Sequence, residues 1–502
     1  MEKTFRDMLP KVFFFVENSP PTTKQFMDLS KKIGLFASPI LLIFMLFTPP
    51  QWGLKPDAWR VLAMAIFMLG WWVTEAMPLP VTSLVPLVLL PLLGVSESKQ
   101  VATFYGDPIV FLFLGGFLLA LAMEKCNLHR RIALTIVKLT GTNANGIVLG
   151  FMVATALLSM WISNTATTIM MLPIALSVIG LLKESGEGQS VGMANFSKTI
   201  MLGIAYAASI GGMATLIGTP PNVVFKAYMV KNGYEVNFFD WMMIGVPLMV
   251  LLIAITYFLN VKLLFPNRLG KFEGAREIIQ TELNMLGKPS KAEKRVFWLF
   301  MCTVALWISG SFLNKALPGL NLSDDMVAIA AGIALFVIPV DFKQGNFLLD
   351  WDSTSKLPWG ILLLFGGGLA LADSLYKTGL IDLIGGAFHG SHVNRILFIL
   401  LLTAATVILS EAMSNVALVV VFLPVVSGIA QGAGIEPILL AVPVTLAASC
   451  GFMLPMATPP NAIVFGSGYL KVLDMVKSGF WLDIISILLI ALFAESVVLW
   501  VF

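Results

Sequence analysis

Apolar stretches of membrane-spanning length recur along this chain from about Ile33 to the C-terminus. Each runs for about 17–25 residues, which is the length that an α-helix needs to cross the hydrocarbon core of a bilayer. Hydrophobic residues make up 58% of the sequence and charged residues only 12%, whereas soluble domains carry about a quarter charged residues. The sequence therefore predicts an all-α polytopic membrane protein.

The two halves of the chain share an ordered set of landmarks, and the spacing within each pair is the same. The pairs are Gly115 and Gly366, Ser163 and Ser414, and Pro173 and Pro424. A constant offset across three landmarks indicates an internal repeat. We expect a basic N-terminal arm (1–32), a first half (33–265), a charged amphipathic linker (266–294) and a second half (295–502).

Each half contains one apolar segment that is longer than a single membrane span, 147–182 in the first half and 394–432 in the second. A Ser-Asn pair interrupts each segment near its middle. Basic residues flank the first segment on both sides, which predicts that both of its ends are cytoplasmic. We therefore expect two re-entrant hairpins that enter from opposite faces, within an inverted repeat of about eleven transmembrane helices. The basic arm and linker place the N-terminus inside and the C-terminus outside a cytoplasmic membrane.

A second polar break follows each hairpin, at 218–222 (Gly-Thr-Pro-Pro-Asn) and at 457–461 (Ala-Thr-Pro-Pro-Asn). Such breaks persist within a membrane only where they are packed in protein or line a wet cavity. The segments around all four breaks contain no Lys or Arg, and their only formal charge is Glu411. Neutral oxygen atoms suit an alkali cation, and the free N–H groups at helix starts suit a carboxylate or another oxyanion.

These motifs resemble those of the divalent anion/sodium symporter family, which contains the INDY-type dicarboxylate and citrate transporters. The matching segments are 163–168 with Leu172-Pro173, 217–222, 457–468, and 71–80 (Trp-Trp-Val-Thr-Glu-Ala-Met-Pro-Leu-Pro). The resemblance extends from about residue 35 to the end of the chain. It implies a homodimer that works as an elevator, with a dimerising scaffold and a moving transport domain.

The resemblance also implies the roles of particular residues. Sodium site 1 would use Ser159, Ser163, Asn164 and Gly218, and sodium site 2 would use Ser410, Met413, Asn415 and Ala457. Substrate carboxylates would contact Asn164, Thr165, Thr219, Pro220, Asn415, Val416, Thr458 and Pro459. Val416 departs from the family pattern, because many relatives have Thr at this position. The substitution removes a hydroxyl group and leaves the identity of the substrate open.

The function implied by the resemblance is sodium-coupled transport of C4-type dicarboxylates such as succinate, malate or fumarate. Sodium-independent electroneutral dicarboxylate exchange is an alternative, as is symport of citrate or sulfate. Sodium is the expected coupling ion, and no organic cofactor is expected. The expected partners are the substrate, the lipid bilayer and a second copy of the chain, with no nucleic acid.

Other polar residues could suggest other functions. No acid–base constellation, metal-ligand spacing or nucleotide-binding motif is found in the sequence, so neither an enzyme nor an ATP-driven pump is expected. His389 and His392 lack a third ligand for a metal site. Glu75 and Glu411 are interpreted as intramembrane carboxylates. Glu411 could tune a cation site, carry a proton or lock the chain to a neighbouring helix, and Glu75 is expected to be structural.

Overall fold

The computed structural model describes residues 29–141, 143–182, 191–270, 273–317, 319–386 and 394–502. Almost all of its regular structure is helical. The one sheet among these residues is an antiparallel pair of short strands, β1 (Pro339–Asp341) and β2 (Asn346–Phe347). Residues 1–28 of the N-terminal arm lie outside the described residues, as do His389 and His392.

The first half contains twelve helices in the described residues, and three of them begin at proline. Proline is favoured in the first helical turn because its missing N–H would have no intrahelical partner there. The helices are α1 (Leu29–Phe47), α2 (Pro56–Thr74), α3 (Leu79–Thr82), α4 (Val85–Leu92), α5 (Ser98–Thr103), α6 (Pro108–Lys125), α7 (Leu128–Leu139), α8 (Ala144–Ser159), α9 (Asn164–Leu182), α10 (Val191–Gly212), α11 (Pro220–Lys231) and α12 (Phe238–Tyr257). A 3₁₀ turn follows α5 at Phe104–Gly106, and a π-helical segment, Phe258–Leu264, extends α12.

The linker and the second half supply the remaining helices of the described chain. These are α13 (Glu273–Met285), α14 (Lys291–Ala316), α15 (Asp324–Val337), α16 (Trp359–Lys377), α17 (Leu380–Gly386), α18 (Arg395–Ser410), α19 (Asn415–Ala433), α20 (Pro437–Ala447), α21 (Pro459–Phe465), α22 (Val472–Phe493) and α23 (Leu499–Val501). A 3₁₀ turn at Asp352–Lys356 precedes α16, and a π-helical segment, Ala494–Val498, joins α22 to α23.

Seven helical segments within the described residues are long and apolar enough to cross a membrane. They are Leu29–Phe47, Ser98–Lys125, Phe238–Leu264, Lys291–Ala316, Trp359–Lys377, Asn415–Ala433 and Val472–Val501. Several shorter apolar helices lie among them, including α8, α9, α18 and α20. The prediction of a multi-pass helical membrane protein is confirmed at this level.

The helices around the polar breaks, α8–α12 in the first half and α18–α22 in the second, pack in equivalent ways. In the first half α8 contacts α9, α10 and α12; in the second half α18 makes the equivalent contacts with α19, α20 and α22. The two sets also exchange contacts, because α9 packs against α21 and α19 packs against α11. The repeat read from the sequence is therefore present in the packing of the helices.

The charged linker is tied to the first half by two arginines of α7. Arg130 forms an ion pair with Glu282 of α13, and Arg131 binds Glu293 at the start of α14 through both Nε and Nη2. Arg131 also donates to the Gly287 carbonyl oxygen at 3.0 Å. Both glutamates are buried, so these pairs fix the linker helix on the surface of α7.

Proline also shapes the helices near the start of the first half. The apolar stretch 79–96 is split into α3 and α4 at a stretch containing Pro80, Pro86 and Pro91, because proline interrupts helical hydrogen bonding. The Glu75 side chain follows α2, is 62% exposed within the single chain and lies 3.6 Å from Lys31 of α1.

Candidate functional site

The four polar breaks in the sequence are the points at which four helices begin. α9 begins at Asn164, α11 at Pro220, α19 at Asn415 and α21 at Pro459. Because α9 contacts α21 and α11 contacts α19, the helix that follows each Ser-Asn break packs against the helix that follows the Thr-Pro-Pro-Asn break of the other half. The predicted site residues themselves lie in two groups, one formed within each half.

The first hairpin break is organised by Ser159, the last residue of α8. Its fully buried hydroxyl group has two acceptors within reach of its one hydrogen, Asn164 Oδ1 at 2.6 Å and the Ala208 carbonyl oxygen of α10 at 2.7 Å. Asn164 in turn faces Gly212, where an added Cβ would lie only 2.5 Å from Asn164 Oδ1. Gly218 packs on the same glycine, since a Cβ there would lie 2.5 Å from the Gly212 carbonyl oxygen. Asn164 and Gly218 thus pack against Gly212, and Ser159 contacts Asn164.

The other predicted site residues of the first half differ in how far they are buried. The Ser163 side chain is exposed, and its hydroxyl oxygen accepts the Ala166 N–H at 3.2 Å in the first turn of α9. Thr165 and Pro220 are half-buried, whereas Thr219 is buried at the start of α11.

The second hairpin break repeats this arrangement around Gly451. A Cβ added at Gly451 would lie 3.0 Å from the Ala457 methyl carbon and 3.4 Å from Ser410 Oγ. Ser410 differs from its counterpart, because it donates to the Val407 carbonyl oxygen of its own helix at 2.8 Å. Met413, Asn415 and Val416 are half-buried in the break, Thr458 is buried and Pro459 is exposed.

Two buried asparagines hold the loops of the second breaks in nearly the same way. Asn222 Nδ2 donates to the carbonyl oxygens of Gly212 at 3.1 Å, of Met213 at 3.4 Å and of Thr215 at 2.7 Å. Asn461 Nδ2 donates to the carbonyl oxygens of Gly451 at 3.1 Å and of Leu454 at 3.0 Å. The partners lie ten and seven residues before the asparagine in both halves, so each amide fixes the backbone of a non-helical loop.

Unpartnered oxygen atoms remain at these breaks. Oδ1 of Asn222, of Asn415 and of Asn461 is buried and accepts no hydrogen bond from the described residues. Amide, hydroxyl and peptide oxygens without a carboxylate are hard, neutral ligands, which suit a weakly held alkali cation better than a divalent one. No cluster of three or more His, Cys, Asp or Glu side chains that could hold a metal ion is found among the described residues. The donor set therefore fits sodium.

Comparison with known proteins identifies the family. The family model described as the sodium:sulfate symporter transmembrane region matches residues 29–502. The chain belongs to this symporter family. Its members include the divalent anion/sodium symporters that the sequence motifs resemble, so the resemblance is confirmed.

The chain is also similar over most of its length to sodium-dependent dicarboxylate transporters. The sodium-dependent dicarboxylate transporter SdcS of Staphylococcus aureus strain USA300 is 42% identical over 468 residues, covering 92% of this chain and 90% of the relative. SdcS of strain NCTC 8325 is 41% identical over the same length and the same shares of both chains.

Two solved transporter structures share the overall fold at low sequence identity. The YdaH transporter of Alcanivorax borkumensis gives a TM-score of 0.57 at 13% identity, covering 88% of this chain and 98% of that one. MtrF of Neisseria gonorrhoeae gives a TM-score of 0.50 at 13% identity, covering 94% and 96%. At this identity the likeness concerns the fold alone.

The Glu411 carboxylate binds the backbone of a loop that is distant in the sequence. Its two carboxylate oxygens accept the N–H groups of Met453 and Leu454, each at 2.8 Å. Glu411 follows the last residue of α18, and the two donors belong to the loop before α21. The contact ties Glu411 to this loop rather than to a neighbouring helix.

Sequence reasoning missed the two glycines at the centres of the breaks. Gly212 and Gly451 pack against the proposed ligands so closely that any side chain would displace them. A signal was available in the sequence, since each glycine lies ten residues before the Asn of a Thr-Pro-Pro-Asn motif. The asparagines were recognised as polar groups at the breaks, but their role as clamps of the loop backbone becomes clear only from their hydrogen bonds.

Proposed function

We propose that this protein is a secondary transporter that couples the uptake of C4-type dicarboxylates, such as succinate, malate and fumarate, to sodium. The observation that carries this proposal is the pair of oxygen-lined breaks, each built around a close-packed glycine and each holding buried amide oxygens that lack a partner. The 42% identity to the sodium-dependent dicarboxylate transporter SdcS supports the same assignment.

The proposed sodium site 1 comprises Ser159, Ser163, Asn164 and Gly218, and the proposed site 2 comprises Ser410, Met413, Asn415 and Ala457. The substrate carboxylates would contact Asn164, Thr165, Thr219, Pro220, Asn415, Val416, Thr458 and Pro459. Since no Lys or Arg lies in these segments, bound sodium would supply the positive charge that neutralises the dianion.

Energetics also favours coupling to a cation. Moving a charge against an inside-negative potential costs about 2.3 kcal/mol per 100 mV, so a dianion costs about 4.6 kcal/mol per 100 mV. Two or more sodium ions that enter with the dianion would offset this cost. Electroneutral exchange of one dicarboxylate for another would also avoid the cost, and it is the alternative to be tested against symport.

The test is uptake of labelled succinate into proteoliposomes under two conditions. One set receives an inward sodium gradient and no internal succinate, and the other receives internal succinate and no sodium. We expect uptake in the first set only, with competition by malate and fumarate. Uptake that needs only internal dicarboxylate would replace symport by exchange. Uptake of labelled citrate or sulfate in place of succinate would show that one of these anions is the substrate, and the proposed sodium sites would stand unchanged.

We also propose an elevator movement of the helices that carry the breaks, α8–α12 and α18–α22, relative to α6, α15 and α16. These helices contact one another in matching pairs across the two halves, which supports movement as one body. Spin labels at Ala412 and Val191, both within this group, should keep a constant distance when sodium and succinate are added. Labels at Ala412 and Met326 of α15 should change their distance, and an unchanged distance would contradict the elevator.

The apolar surface of α14 supports assembly into a homodimer. Only 17% of the residues in the apolar, membrane-spanning part of this helix are buried within the single chain. Trp298, Leu306 and Phe312 are among its exposed residues. Chemical cross-linking in native membranes, with cysteine placed at Phe312, should yield a dimer. A protein that remains monomeric at all detergent and lipid concentrations would exclude this assembly.

A further inference from the structure

A groove of about 340 Å³ opens on the protein surface between the start of α14 and the end of α15. Its lining consists of Lys294, Arg295, Trp298, Leu299 and Cys302 of α14 and of Ile338, which follows α15. The α14 residues recur at three- and four-residue spacing, so they form one continuous face of that helix. Trp298 is 66% exposed and Cys302 is exposed as well. The single chain therefore leaves the groove open, and no residue of the proposed sodium or substrate sites belongs to it.

The groove has a cationic end and an apolar remainder. Lys294 and Arg295 lie in the first two turns of α14, and both side chains are exposed. Neither forms an ion pair with an acidic side chain among the described residues. Glu293, the acidic residue next to them in the chain, is buried and paired with Arg131. The two positive charges are therefore available to an anion from outside the chain.

The polarity of the groove matches its predicted position in the membrane. The sequence predicts that the start of α14 faces the cytoplasm, because α14 directly follows the basic linker. Trp298 lies one turn beyond Lys294, at the level where aromatic side chains are enriched between lipid headgroups and hydrocarbon. The cytoplasmic leaflet carries anionic lipids, and basic pockets between transmembrane helices on this side bind their headgroups.

We propose that this groove binds an anionic phospholipid of the cytoplasmic leaflet. The headgroup phosphate would pair with Lys294 and Arg295, and an acyl chain would lie along the apolar part of the groove. A second copy of the chain is a poorer occupant, because a two-fold contact centred here would bring the same two cations of each copy together. The proposed dimer contact at Phe312 lies 17 residues beyond Arg295 (312−295), roughly 26 Å along the helix, so it leaves room for the lipid.

Cys302 provides a reporter inside the groove. It is the exposed cysteine of the chain, whereas Cys126 is half-buried and Cys450 is buried. Its alkylation by N-ethylmaleimide can be followed by peptide mass spectrometry on the full-length protein in detergent micelles. Half-maximal protection should need roughly thirtyfold less phosphatidylglycerol than phosphatidylcholine, since each Lys or Arg near an anionic lipid surface accounts for roughly fivefold in affinity. Equal protection by the two lipids, or protection by inorganic phosphate without lipid, would overturn the proposal.

Charge removal tests the headgroup contact. Lys294→Gln and Arg295→Gln should each reduce the preference for phosphatidylglycerol roughly fivefold, and the double variant should abolish it. The matched control combines Lys55→Gln with Lys315→Gln, which removes the same two charges from exposed positions outside the groove. We expect this control to keep the wild-type preference.

Three results would contradict the lipid site. They are a preference that survives in the Lys294→Gln/Arg295→Gln variant, an equal loss in the control, and protection that follows protein concentration instead of lipid. The last result would assign the groove to a second copy of the chain. Because no transport is measured, the outcome does not depend on the proposed function.

Discussion

Replacing Gly212 with alanine is the sharpest test of the first sodium site. Gly212 is the last residue of α10, and an added Cβ would lie 2.5 Å from Asn164 Oδ1 and 2.9 Å from Asn164 Nδ2. Contacts this short cannot persist between non-bonded atoms. Because the crowded atoms are the end of a side chain, the Asn164 amide will rotate away and the backbone will stay in place.

The size of the effect follows from the contact that this movement breaks. Ser159 Oγ and Asn164 Oδ1 are 2.6 Å apart, and a hydrogen bond contributes about 0.5–1.5 kcal/mol net. Loss of this bond alone corresponds to about 2- to 13-fold, so with one proposed sodium ligand also displaced, sodium affinity should weaken by at least that much. Folding should be nearly unaffected, because no backbone atom is among the three nearest contacts of the new methyl group.

The assay is the sodium dependence of succinate uptake into proteoliposomes at saturating succinate. Gly180→Ala is the matched control: Gly180 also lies in a helix near the hairpin, but an added Cβ would meet no atom within 4 Å. We expect the control to transport with wild-type sodium affinity. Unchanged sodium affinity in Gly212→Ala, or an equal loss in the control, would refute the assignment of Asn164 to this site.

Three further changes give separate predictions. Asn222→Ala removes the donor to three loop carbonyl oxygens and should lower unfolding stability by about 1–3 kcal/mol, measured by thermal unfolding in detergent; an unchanged midpoint would contradict the clamp. Val416→Thr restores a hydroxyl group at the second break and should lower the KM for succinate roughly threefold to tenfold, whereas Val421→Thr on the same helix should not. Lys125 lowers the pKa of Asp350 to about 2, with help from Ser353. Its contribution to stability is therefore present above about pH 4 and lost as the pH falls towards 2. Since both side chains are substantially exposed, Asp350→Asn should cost less than about 1 kcal/mol at neutral pH, and a larger loss in chemical denaturation would refute this interpretation.

The sequence predicted the helical breaks well because their signals are local. Pro220 and Pro459 each follow a threonine with an extended backbone and each begin a helix, as expected of proline in a first turn. The constant spacing between Ser163 and Ser414 likewise identified the repeat, which appears in the structure as equivalent contacts in the two halves.

Contacts between distant segments could not be read from the chain. Glu411 lies in an apolar segment, and its neighbours along the sequence do not indicate whether it faces a cation or a peptide N–H. The deciding contacts come from the backbone N–H groups of Met453 and Leu454, about forty residues away. For the same reason the sequence does not indicate that Glu75 lies beside Lys31.

The exchange of contacts between the two halves gives the proposed coupling a physical basis. Ser159, Asn164 and Gly218 all belong to the first half, and Asn164 and Gly218 pack on Gly212, so the first proposed cation site lies within one half. The helix that Asn164 begins packs against α21, whose first residues follow Thr458 of the second half. A substrate that contacts both Asn164 and Thr458, as we propose, would therefore bridge the two proposed cation sites. Since sodium at each site would fix one end of the substrate site, we expect a dianion to bind well only after the cations.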